Sequence, residues 1–145
     1  MEMNSDNIAA LIRSRAREFG FSNPQQVDFL YSRLKKLDQN EVFHGLIMIF
    51  THGENSSRNF AAQEIAGKLL TKLQIKGDID LYKTLTCSLC RYELSVEEFP
   101  CYLAGLFGLE KVRTVLNEIA KTKLTETELR ALNTMRFWLK LPENS

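Results

Sequence analysis

Apolar residues in this chain recur at helical spacing from one end to the other, and no stretch alternates with period two between hairpin turns. That pattern excludes a sheet and predicts an all-α protein. The 7 glycines and 3 prolines fall where helices would start or stop, so they divide the chain into about eight segments. Ser5 is placed to cap the first, which carries Ile8, Leu11, Ile12 and Phe19 and stops at Gly20. Asn23-Pro24 opens a second, with Val27, Leu30, Tyr31, Leu34 and Leu37 on one face. "NEVFHGLIMIFTHG" is a third, more apolar helix ending near Gly53. Ser56 or Ser57 caps a fourth that stops before Gly77, and Asp78 opens a fifth. Ser95 and Glu98 have capping-box spacing ahead of a short sixth helix that contains Pro100 and runs to about Phe107. "LEKVRTVLNEIAK" is a seventh; Thr125 and Glu128 form a second capping box for the eighth, which ends before Pro142.

Short joints pair these helices into four antiparallel hairpins, either stacked as an α-solenoid or gathered into an irregular bundle, within a single domain over residues 1–145. The middle two hairpins are offset by 38 residues: Ile65-Ala66-Gly67 falls over Leu103-Ala104-Gly105, and Ile47 over Leu85. That offset is near the period of helical repeats.

Residues 46–70, "LIMIFTHGENSSRNFAAQEIAGKLL", resemble a HEAT repeat. An apolar helix leads through a polar turn to Arg58, paired Ala61 and Ala62, and an Ala66-Gly67 step, with Glu54 and Asn55 where that family usually has an aspartate. The resemblance implies stacked helical hairpins and says almost nothing of function, since such stacks serve many roles.

The formal charge of +1 creates no global field to hold a phosphate backbone or a basic partner. No run approaches the roughly 18 to 20 apolar residues a bilayer requires, and the opening segment lacks the pattern of a secretory signal. An odd count of 3 cysteines fits a reducing cytoplasm, which is the expected location.

Cys87 and Cys90 form C-x2-C, with Cys101 beyond. A zinc knuckle would need a tight turn and two further ligands; here the motif sits inside a helical pattern, with only His44 and His52 as nitrogen donors. A thioredoxin-like pair would need its first cysteine at a helix N-terminus after a strand, whereas Cys87 lies about two turns into its helix. The cysteines are therefore expected to act as small hydrophobes inside a hairpin, with no metal and no cofactor. No nucleophile–histidine–acid set, G-x-S-x-G or phosphate-cradling glycine loop appears. His52 and the carboxylates at Asp78, Asp80, Glu97 and Glu98 sit where helix ends attract such charges. Arg13, Arg15 and Arg17 spread around their helix, and Arg33, Lys35 and Lys36 make only a local basic patch.

Aromatic placement is more informative. Winding each helix at about 100° per residue puts three phenylalanines off the main apolar face. Phe29 lies beside Arg33, Phe60 near Gln63 and Glu64, and Phe137 with Arg130, Asn133 and Lys140. Either they pack between hairpins or they form a binding surface of exposed rings among polar residues. The second alternative leads to a non-catalytic protein-binding module, in its specific form a small inhibitor or immunity protein that masks a toxin or an enzyme. A nucleic-acid-binding repeat protein, and a metal- or thiol-dependent enzyme using Cys87 and Cys90, are the alternatives.

Overall fold

The structure is a computed structural model that describes residues 3–20, 24–53 and 59–142. Among these, eight α-helices and no strand occur: α1 (Ser5–Phe19), α2 (Pro24–Leu34), α3 (Gln39–Thr51), α4 (Asn59–Leu73), α5 (Leu81–Ser88), α6 (Glu98–Phe107), α7 (Leu109–Ala120) and α8 (Glu126–Trp138).

Most expected boundaries hold, and the exceptions have local causes. Asn4, not Ser5, caps α1: its side chain accepts from the Asn7 N–H, and Asn7 returns the bond in a capping box. The Ser5 N–H instead donates to Glu41 at the start of α3. Asp80 rather than Asp78 caps α5, accepting from the Lys83 N–H. The box expected from Ser95 and Glu98 does not form; α6 begins after Glu97, which makes no side-chain cap bond. Val96 N–H is turned back to the Glu93 carbonyl, which keeps Ser95 out of the helix start. Thr125 and Glu128 do form the predicted box at α8. The expected caps Asn23, Ser56 and Ser57, and the repeat-like residues Glu54, Asn55 and Arg58, lie outside the described residues.

The helices pack in two rows. One joins α1 to α3, α3 to α5 and α5 to α7; the other joins α2 to α4, α4 to α6 and α6 to α8. Within the first row α1, α3 and α5 run in one sense. Ser5 bonds Glu41 at the leading ends of α1 and α3, while Arg13 reaches the Met48 and His52 carbonyls at the trailing end. Likewise Gly77, ahead of α5, presses on the Phe43 ring early in α3, and Arg91, beyond α5, donates to the Gly53 carbonyl beyond α3. In the second row, Gln63 meets residues 91–93 ahead of α6, and the Ile75 carbonyl just past α4 accepts from Tyr102 within α6. So α4 and α6 are parallel too.

Successive helices α1, α3 and α5, and likewise α4 and α6, are thus parallel, and a helical repeat is compatible with this architecture. Its last member breaks the rule. α8 brings its trailing end to the residues ahead of α6, where Trp138 Nε1 donates to the Leu94 carbonyl at 2.8 Å.

The core runs between the rows. Phe50 of α3 and Phe99 of α6 stack at 4.0 Å between centroids with 11° between planes, and Leu30, Leu34, Leu46, Ile65, Leu69 and Leu85 are fully buried around them. Gly45 lets α1 approach closely: a Cβ there would lie 2.8 Å from the Cβ of Ile8. No helix among the described residues is long and apolar enough to cross a membrane.

Candidate protein-binding surface

α8 turns Ala131, Leu132, Met135 and Arg136 inward. The period of 3.6 then forces Glu126, Leu129, Arg130, Asn133, Thr134 and Phe137 onto one outer face. These six line a shallow depression of about 440 Å³. Phe137 is 69% exposed and Leu129 45% exposed, while Glu126 and Arg130 pair at 3.8 Å along the rim. Phe137 stands edge-on to Trp138, ring centroids 5.1 Å apart, and Trp138 is pinned by its bond to Leu94. Arg136 is buried beneath this face, donating to Asn117 Oδ1 at 2.7 Å and to Asn133 Oδ1 at 3.4 Å. A buried guanidinium held this way fixes the Asn133 amide from below.

Arg130, Asn133 and Phe137 are therefore brought together as the sequence predicts. The other expected contact residues are not with them. Phe29, on α2, is 42% exposed, but the Arg15 guanidinium covers one face at 4.2 Å and also lies 5.4 Å from the Phe19 ring. Arg33 is exposed nearby, its guanidinium 3.7 Å from Met3 Sδ. Phe60, on α4, is half-buried against the core.

Gln63 leaves the contact set: its side chain is 0% exposed. Its Nε2 donates to the Arg91 carbonyl at 2.9 Å and its Oε1 accepts from the Glu93 N–H at 3.0 Å. It clamps the α5–α6 connection onto α4, since a buried amide must find partners on both sides. Glu64, half-buried next to it, has its carboxyl pushed above the ordinary range by burial and then by Glu98, with Lys68 at 3.7 Å opposing. Leu129 is a member of this face that the sequence reading left out, although it lies eight residues before Phe137 and so on the same side.

Contrary to expectation, the three cysteines are not buried inside a hairpin. Cys87 and Cys90 are half-buried and Cys101 is exposed, so they are not simply interior filling. The C-x2-C motif straddles the end of α5, where Arg91 donates to the Cys87 carbonyl and to Cys90 Sγ. Although Cys101 is open to solvent on one side, partial desolvation by its neighbours and then the negative charges of Glu97 and Glu98 push its thiol up, which disfavours the thiolate. His44, His52 and Cys87 share the lining of a cleft of about 500 Å³ between α3 and α5, and His52 Nδ1 is 2.8 Å from Thr51 Oγ1. Among the described residues, no three of His, Cys, Asp or Glu converge as metal ligands.

The chain matches no protein-family model, no curated protein and no solved structure.

Proposed function

We propose that the protein works by binding another protein through the outer face of α8, rather than by catalysis. The observation that carries this reading is Phe137: a large ring 69% exposed, next to the exposed Leu129 and within a polar rim. Interface hot spots have this composition, an aromatic anchor surrounded by groups that exclude water once bound. The ring is also pre-organised, because Trp138 behind it is tied to Leu94. The specific form we favour is a small inhibitor, an immunity protein that covers the working surface of a toxin or enzyme from within the cytoplasm. Masking calls for a firm face and for no reacting groups. The scaffold we favour is HEAT-like, with the α3–α4 and α5–α6 pairs as successive units, single-domain over its length.

The test begins with a photo-reactive phenylalanine analogue at position 137, which should trap a discrete adduct in cells that mass spectrometry identifies. With that partner purified, Phe137→Ala should weaken binding by about 2 kcal/mol or more in calorimetry. Unchanged affinity would remove α8 from the interface.

A further inference from the structure

We infer that Cys87 and Cys90 form a reversible oxidation site, closing to an intramolecular disulfide by exchange with a low-molecular-weight disulfide, and that closure frees the end of α3 from Arg91. This goes beyond binding at α8 and does not rest on it.

Residues three apart on a helix have Cα atoms about 5 Å apart, within the span that a disulfide bridges. Cys87 stands in the last turn of α5, and Leu89 keeps right-handed helical dihedrals, so this spacing carries through to Cys90. Cys90 Sγ is turned back onto the same turn, 4.0 Å from the Cys87 carbonyl oxygen. Cβ atoms at this spacing lie about 5–6 Å apart, however, and a disulfide needs about 4 Å. Closure must therefore tighten the turn. The backbone there has already begun to do so, since the Arg91 N–H donates to the Ser88 carbonyl at 3.0 Å, three residues back. A disulfide that distorts its host is readily reduced again, which suits a switch and not a permanent link.

Cys87 lines the cleft of about 500 Å³ between α3 and α5, where a small disulfide has room to enter. The Cys87 sulfur, once deprotonated, attacks one sulfur of that molecule and expels the other half as a thiolate. Cys90 then loses its proton, attacks the Cys87 sulfur and expels the second half. Two protons and two electrons leave the protein, and the small disulfide departs as two thiols. Cys101 lines a separate depression beside α4 and α6 and stays outside this exchange.

Arg91 carries the consequence. Its guanidinium donates to Cys90 Sγ at 3.5 Å, to the Cys87 carbonyl, and to the Gly53 carbonyl beyond α3 at 3.1 Å. The first two acceptors belong to the residues that closure moves. Gln63 meanwhile holds the Arg91 backbone through its carbonyl at 2.9 Å. With its backbone fixed and two acceptors displaced, the guanidinium gives up its solvent-exposed bond to Gly53.

Trypsin cuts after Lys83 and Arg91, so both thiols fall in peptide 84–91 and Cys101 falls in another. The folded full chain is equilibrated in glutathione buffers from reduced to oxidised, and remaining thiols are alkylated in urea before digestion. In oxidised buffer peptide 84–91 should be unalkylated and two hydrogens lighter, and reduced glutathione should restore both thiols. Cys90→Ser should stop with glutathione attached at Cys87. Amides at the end of α3, up to His52, should exchange hydrogen at least about fivefold faster in the oxidised protein. Arg91→Gln should exchange as fast without oxidation and respond little to it. Two thiols in peptide 84–91 that stay alkylatable in oxidised buffer, or that each carry glutathione, overturn the oxidation site. A disulfide that leaves exchange at the end of α3 unchanged overturns the release by Arg91. Both of these measurements use the wild-type chain, so neither depends on a variant that folds.

Discussion

α3 and α8 are each thirteen residues long, yet they live differently. α3 buries seven residues, including Phe43 and Phe50, between α1, α4 and α5. α8 buries four, and its neighbours are α6 and α7. Their ends are reversed in quality: α8 starts with a full capping box, whereas α3 has a lone Asp38 cap and relies on Arg13 to satisfy its last carbonyls. A helix in the middle of the rows is stabilised by burial and tolerates weak local signals. A helix at the edge needs good local signals, and it keeps one face for other uses.

The comparison can be broken most forcefully at Phe50. Phe50→Ala should destabilise the protein by about 3–5 kcal/mol in urea unfolding, because the ring is fully buried and stacked on Phe99. A loss under about 1 kcal/mol would mean that the centre is not packed as described. At α8 the largest stability effect should be local. Thr125→Ala should cost about 1 kcal/mol through the lost capping box, and hydrogen exchange should localise the change to the first turns of α8.

A smaller effect of opposite sign is expected at Glu64. Its folded-state carboxyl is raised above the ordinary 4.5, so above that pH the folded protein binds more protons than the unfolded chain. Stability contributed by the protonated form therefore falls as pH rises through the folded value. Glu64→Gln should stabilise the protein at neutral pH relative to wild type and flatten this dependence, measured by unfolding across pH 4 to 7 (an order-of-magnitude window around the carboxylate range). Smallest of all, Phe137→Ala should change stability by less than about 0.5 kcal/mol, since the ring contributes little to the core. A large loss there would make Phe137 a structural residue and remove the contrast with Phe50.

What could be read from the sequence was what depends on near neighbours. Helix number, most ends and the outward turn of Phe137, Arg130 and Asn133 follow from periodicity within one segment. Gln63 was misplaced because its partners, Arg91 and Glu93, are 28 and 30 residues away. Nothing on α4 announces that a later connection will cover it. Cys101 was misplaced for the converse reason. The step Leu103-Ala104-Gly105 stands 38 residues beyond Ile65-Ala66-Gly67, but Gly67 is pressed by Glu98, whereas among the described residues nothing lies within 4 Å of a Cβ built at Gly105. That similarity of sequence suggests a covering segment over α6 as over α4, and α8, whose trailing end goes to Leu94, does not supply one.

The trailing end of α3 has a consequence for a chain made from its N-terminus onward. Its carbonyls at Met48 and His52 accept from Arg13, and the next, at Gly53, from Arg91. Arg13 precedes His52 by 39 residues and is already present when His52 is added. Arg91 arrives 38 residues after Gly53. The first half of this clasp can therefore close on the growing chain as soon as α3 is free to fold. The second half must wait until α5 has been synthesised, so the turn out of α3 is held from one side before it is held from both.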